Sequence, residues 1–162
     1  MPNRPAPPAP PAWHAPDPAA VTPTRAAVQA WLDAYVRAWQ SYDPDAIADL
    51  WTEGCVWAYP FGVRARGRAA ITAEWLAERH LDDPGGYDAH YEPIAIDGDV
   101  VVTHGRTRFF DAATGETRVT YDNVWVLRFG PDGRCSEFHE WYAGPPDPAE
   151  VARFAAYRAE SD

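Results

Sequence analysis

Residues 122–143 read DNVWVLRFGPDGRCSEFHEWYA, and the rest of the architecture follows from them. Two runs of β-branched and aromatic residues flank Pro131-Asp132-Gly133, a turn triplet, so the stretch is expected to form a β-hairpin. Side chains alternate along a strand. In the first run Asn123, Trp125 and Leu127 therefore share one face, while Asp122 points to the other. In the second run Phe138, Glu140 and Tyr142 share one face, and Glu137, His139 and Trp141 the other. Each face of this second run mixes apolar and polar groups, so periodicity leaves open which one points inward.

The same grammar extends upstream. Asp97-Gly98 marks a tight hairpin between strands spanning Tyr87–Ile96 and Asp99–Phe110. A turn through Thr114-Gly115 leads into Glu116–Phe129, and Arg134–Ala143 is the last strand. Consecutive hairpins predict an antiparallel meander.

Before Tyr87 the period changes to that of a helix. Thr22-Pro23 supplies an N-cap and a first-turn proline. Val28, Trp31, Leu32, Tyr35, Val36 and Trp39 then form one apolar stripe. Asp43-Pro44 repeats the start signal for a short second helix through Ile47, Leu50 and Trp51, which Gly54 is expected to end. A short strand over Cys55–Tyr59 follows, and a third helix runs past Ile71, Trp75, Leu76 and Arg79. Asp147-Pro148 opens a C-terminal helix carrying Val151, Phe154 and Ala155.

Helices segregated to one face of an antiparallel sheet make an α+β domain. A sheet of four to five strongly twisted strands curls. The expected architecture is therefore a cone-shaped, curved antiparallel (mixed) sheet covered by three N-terminal helices, with a pocket between the layers. The domain is expected over 23–146, with a C-terminal helix over 147–162. Residues 1–22 hold eight prolines among alanines and are expected to be a disordered Pro/Ala-rich tail.

Composition narrows the function. The 162 residues are 46% hydrophobic, enough for a core, and include eight tryptophans, rings that both fill cores and line pockets. The net charge of −10 disfavours nucleic acid and anionic membranes as partners. All basic residues are arginines, so Schiff-base chemistry, a lysine-bound pyridoxal cofactor and the usual P-loop are excluded. Cys55 and Cys135 lack CxxC spacing, and two buried reduced thiols are expected rather than a zinc site or a disulfide. The N-terminus carries Arg4 but no apolar h-region, and no apolar run approaches the roughly 20 residues a bilayer needs. The expectation is a soluble, cytoplasmic protein without a cofactor or metal.

Four stretches carry a resemblance: VQAWLDAYVRAWQSYDPDAIADLWTEGCVW, RARGRAAI, DNVWVLRFGPDGRC and EFHEWY. Together they cover roughly residues 25 to 143. In order and spacing they resemble the SnoaL-like branch of the nuclear transport factor 2-like superfamily. That resemblance implies the cone-shaped fold described above. It implies no single chemistry, because the superfamily holds steroid isomerases, epoxide hydrolases, polyketide cyclases, dehydratases and non-catalytic binding modules.

Site expectations follow from the resemblance. The FHEWY segment looks like the final-strand stretch where cyclases and epoxide hydrolases place a pocket carboxylate, which turns Glu140 inward. Among Phe138, Tyr142 and Trp125 its pKa is expected to rise toward a useful acid/base range. Tyr35 matches the helix-1 tyrosine that steroid isomerases use to bond a developing oxyanion. Those isomerases place their base carboxylate at the position of Tyr59 and a second acid at that of Trp125, so their mechanism is not expected here. A phenol of pKa about 10 is a poor base for a carbon-bound proton.

The epoxide hydrolases use an Asp-Arg-Asp set. Arg106 could match its arginine and Glu140 one carboxylate, but Arg108 stands where the other would fall. If His104, Arg106 and Arg108 face inward, the pocket gains a cationic lining suited to an acidic or enolate-like ligand. If they face outward, they are surface charges or dimer contacts. An inward Asn123 would orient a ligand carbonyl, or else serve structure alone. His80 and His139 read as structural or exposed, and the runs Asp82-Asp83 and Arg64-Ala65-Arg66 as solvated loop charges.

The expected catalytic pair is thus Glu140 and Tyr35. The expected ligand contacts are Trp31, Tyr59, Arg106, Asn123, Trp125, Phe138 and Tyr142. The expected ligand is a small hydrophobic carbonyl or polyketide-like metabolite, either bound without turnover or processed by isomerisation, cyclisation, dehydration or hydrolysis. The superfamily also implies a homodimer through the convex sheet face, with Val124, His139 and Trp141 at the seam.

Overall fold

A computed structural model of the chain describes residues 20–60, 62–78, 86–146 and 148. The expected C-terminal helix apart from residue 148, nearly all of the Pro/Ala-rich tail, and Arg79, His80 and Asp82-Asp83 lie outside the described residues.

Helix α1 (Arg25–Ser41) begins two residues later than its sequence signal, because Thr24 rather than Thr22 caps it, accepting from the Ala27 amide. It ends at Tyr42, which takes a left-handed conformation and closes the last turn onto Ala38. Helix α2 (Pro44–Asp49) is capped by Asp43 as the sequence predicts. It stops before Trp51, contrary to expectation. The Leu50 carbonyl accepts from the Cys135 amide and from the Trp31 indole at 2.9 Å each. Those donors draw the chain out of the helix, and Trp51 opens strand β1 (Trp51–Tyr59) opposite Cys135. Gly54 therefore lies inside a strand.

Strand β2 (Gly62–Arg66) was not expected, because its arginines read as solvated loop charges. It pairs antiparallel with β1 and tucks Ala65 inward. Helix α3 (Arg68–Glu78) follows. Strands β3 (Tyr87–Asp97), β4 (Val100–Phe110), β5 (Thr117–Phe129) and β6 (Cys135–Ala143) form the expected meander.

The described residues build one six-stranded sheet of order β2-β1-β6-β5-β4-β3, in which β1 runs parallel to β6. Helix α1 packs across β3, and α3 lies against β1 and β2. This is the expected mixed, curved sheet with helices on its concave side.

The core between the layers is aromatic. Tyr35 sits at its centre, stacked on Phe138 at 5.7 Å, edge-on to Trp75 at 5.0 Å and tilted against Trp125 at 4.8 Å. Each such pair adds about 0.5–1.5 kcal/mol beyond the area it buries. Trp39, Trp51, Trp57 and Trp75 bury their indole N–H groups with no hydrogen-bond partner among the described residues. No helix of the described residues is long and apolar enough to cross a membrane.

Candidate functional site

Toward the open end of the cone the core gives way to a cavity of about 780 Å³. Its deep wall is made by buried residues: Tyr35 and Trp39 from α1, Trp57 from β1, Tyr87 and Tyr91 from β3, Thr107 from β4 and Asn123 from β5. Glu140, half-buried on β6, joins them. Its mouth is made by Tyr59, Pro60, Arg64, Arg118, Val119, Tyr121 and Tyr142.

Register explains how these residues meet. Tyr91, Gly105, Asn123 and Tyr142 form one row across four strands, and Trp125 stands directly opposite Glu140. Glu140 Oε1 accepts from Asn123 Nδ2 at 3.0 Å and from Trp125 Nε1 at 3.1 Å. Asn123 Oδ1 in turn accepts from the Thr107 hydroxyl at 3.1 Å. A hydroxyl carries one proton, so Thr107 must receive its other bond from Tyr91, 2.5 Å away. Tyr91 then receives from Tyr87 at 3.2 Å. Four side chains thus point their donors one way, ending on the carboxylate of a fifth. The carboxamide does not readily pass a proton, so this chain orients Glu140 and does not conduct.

Two features hold the chain in place. Tyr91 lies over Gly105, where a Cβ would come within 2.3 Å of Tyr91 Cδ1 and 2.3 Å of the His90 carbonyl. Its ring then reaches Trp125, with centroids 3.9 Å apart. Burial raises the pKa of Tyr35, Tyr87 and Tyr91, and the nearby charge of Glu140 raises all three further. Near neutral pH these phenols are therefore donors and not bases. The Tyr35 hydroxyl has no hydrogen-bond partner among the described residues, and Tyr35 lines the cavity.

Residues 28–138 match the family described as the SnoaL-like domain. The chain belongs to the SnoaL-like family. Among solved structures it is similar to a SnoaL-like protein of unknown function from Burkholderia thailandensis, at 26% identity and a TM-score of 0.56, covering 76% of this chain and 99% of that one. It also shares its fold with an LEH-like epoxide hydrolase from M. tuberculosis, at 18% identity and a TM-score of 0.55, covering 75% and 86%. A candidate ketosteroid isomerase from Kribbella flavida has a TM-score of 0.55 at 17% identity, covering 76% and 83%. No curated protein matches the sequence.

Within this SnoaL-like site, Tyr35, Tyr59, Asn123, Glu140 and Tyr142 line the cavity, and Trp125 touches it through Glu140. Three expected ligand contacts fall elsewhere. Trp31 is core, bonded to Leu50. Phe138 is wholly buried beneath Trp125 and Tyr35. Arg106 is 73% exposed on the convex face, 3.8 Å from Asp122. It follows the outward alternative because Gly105 and Thr107, on either side of it, take the inward positions. The partial match to an Asp-Arg-Asp set therefore has no geometric basis. His104 and Arg108 also face outward, paired with Asp122 at 2.6 Å and Asp88 at 3.5 Å. On that convex face Val124 is exposed and His139 stacks on Trp141 at 6.5 Å, while Trp141 also borders the cavity.

Arg64 is a correction of another kind. It is not a loop charge but a β2 residue whose guanidinium lies 5.3 Å from the Trp57 ring and 5.6 Å from Tyr59, at the cavity mouth. Sequence reasoning also missed Tyr87, Tyr91 and Thr107. One signal was available: Gly105 interrupts a long strand, which marks close backbone approach. Cys55 and Cys135 are both buried and unbridged. Among the described residues no group of three or more potential ligands could hold a metal ion.

Proposed function

We propose that this SnoaL-like protein is a cofactor-free acid/base enzyme acting on a small, largely apolar molecule that carries a carbonyl or hydroxyl oxygen. The observation that supports it is Glu140, held through Oε1 by Asn123 and Trp125 in an aromatic cavity beside the unpartnered hydroxyl of Tyr35. In this reading Glu140 takes a proton from carbon next to the ligand carbonyl. The C–H electron pair moves into the carbonyl as an enolate, whose oxygen accepts a hydrogen bond from Tyr35. Glu140 then returns the proton at a second atom. Such a positioned base contributes about 10²–10⁴ in rate, and an oxyanion donor of this kind about 10²–10³. Among the described lining residues Glu140 is the one carboxylate, which favours single-proton shuttles such as isomerisation, cyclisation or dehydration over reactions that need two fixed acids.

The test needs no knowledge of the natural substrate. Exchange of α-protons of 2-tetralone for deuterium, followed by NMR, reads the first step directly. The protein is expected to accelerate exchange over buffer, and Glu140→Gln and Tyr35→Phe each to lower the rate by about 10² or more. Exchange that survives in Glu140→Gln overturns the assignment. Saturable binding with no exchange would instead give a ligand-binding module that does no chemistry.

A further inference from the structure

The cavity is electrically polarised along its depth. Its carboxylate, Glu140, belongs to the buried end, and its two cations, Arg64 and Arg118, belong to the mouth. Arg64 is kept there by the faces of Trp57 and Tyr59 and by an exposed pair with Glu74 at 3.3 Å. Such a pair exchanges readily for a competing anion. Arg118 donates to the Phe110 carbonyl at 3.2 Å, sits near the charge of Asp111, and has no ion pair within 4.0 Å among the described residues. In a chain of net charge −10, which repels anions at long range, two arginines at one opening are a local exception.

Between the arginines runs an arc of rings. Tyr59 meets Tyr142 at 6.1 Å, Tyr142 meets Tyr121 at 5.3 Å, and Tyr121 meets Phe109 at 6.1 Å, each edge to face. Such a wall suits flat, ring-bearing bodies. A neutral apolar ligand would use the rings but leave the arginines idle. An anion entering charge-first would approach Glu140 and be repelled.

We propose that the ligand is an amphiphilic carboxylate, with an apolar ring body that enters first and a carboxylate left on Arg64 and Arg118 at the mouth. This rests on the acid/base reading of the same cavity, because it places the reacting carbon of the body beside Glu140. It adds what that reading lacks, a polarity for the substrate and a rule for its orientation.

Two probes of equal ring size separate charge from shape: 2-naphthoate and the neutral 2-naphthylmethanol, titrated against tryptophan fluorescence. The native protein is expected to bind 2-naphthoate about tenfold more tightly at low salt, with the preference shrinking as salt rises. In Arg64→Gln/Arg118→Gln the preference should vanish while 2-naphthylmethanol binds as before, which also shows that the cavity is intact. Glu140→Gln should keep or enlarge the preference. Equal affinity for the two probes, or a preference that persists without the arginines, overturns the proposal. A protein that shows the preference yet exchanges no α-protons fails as a catalyst but keeps this binding rule. Exchange without the preference removes only the rule.

Discussion

Strands β4 and β5 carry two chemistries one residue apart. Inward, Thr107 and Asn123 sit in a buried chain of hydrogen bonds that ends on Glu140. Outward, His104, Arg106 and Asp122 form a cluster of exposed charge pairs on the same two strands. Both sets satisfy their polar groups, but in different media. Water competes with the outer pairs and screens them, so each is worth about 0–1 kcal/mol. Water competes less for the inner bonds, and a buried group left without its partner costs about 1–3 kcal/mol. The alternation of a strand thus puts solvated charge and precise orientation on one backbone. The difference between the faces lies in burial more than in residue polarity.

The largest break is expected at Gly105. An added Cβ would meet a backbone carbonyl as well as the Tyr91 ring, and backbone cannot swing aside as a flexible side chain can. Gly105→Ala should cost about 3 kcal/mol, lowering the melting temperature by roughly 6–12 °C. Gly54, also within a strand, has open space around its missing Cβ, so Gly54→Ala should change little. Thermal unfolding of the two variants side by side is the check, and equal losses would mean that Tyr91 does not need that notch.

The next effect is one of pH. Tyr35, Tyr87 and Tyr91 are raised from the ordinary phenol value of 10.0, mainly by burial. In the unfolded chain they would ionise near that value, while the folded chain keeps their protons. Their contribution to stability is therefore full below pH 10 and falls as pH rises above it. Each phenol should steepen the loss by about 1.4 kcal/mol per pH unit. Urea unfolding at a series of alkaline pH values should show this slope, and Tyr87→Phe should lessen it. A slope unchanged by that substitution would place Tyr87 in contact with water.

Much of this inner face was legible in advance, and for a simple reason. The hairpin over residues 122–143 fixes which residues of β5 and β6 share a face, so Asn123, Trp125 and Glu140 fell together from alternation once one of them was known to point inward. The partners on β3 and β4 were not legible. Tyr91 and Thr107 look like ordinary strand residues, and their role depends on the register that brings Tyr91 opposite Gly105 and Thr107 opposite Tyr121, which no local pattern states. Strand β2 escaped for the opposite reason. It is a short edge strand in which Ala65 is the one buried residue, so it shows no run of inward apolar side chains, and its pairing with β1 is purely tertiary. Trp31 and Phe138 were misplaced because an aromatic stripe does not say how deep along the cone each ring lies.

The finest comparison sets Thr107→Val against Asp122→Ala, one change on each face. Valine keeps the shape of threonine but leaves Asn123 Oδ1 and the Tyr91 hydroxyl without their shared partner. It should cost about 2 kcal/mol of stability, whereas loss of Asp122 from its exposed pairs should cost less than about 0.5 kcal/mol. Stability alone does not separate orientation from packing, so α-proton exchange is the second readout. If the hydroxyl fixes which way the Asn123 amide faces, Thr107→Val should slow exchange well beyond its effect on folding, and Thr107→Ser, which restores the hydroxyl, should recover most of the rate. Asp122→Ala should leave exchange unchanged. Equal exchange in all three variants would mean that Glu140 is held by Trp125 without help from the chain behind Asn123.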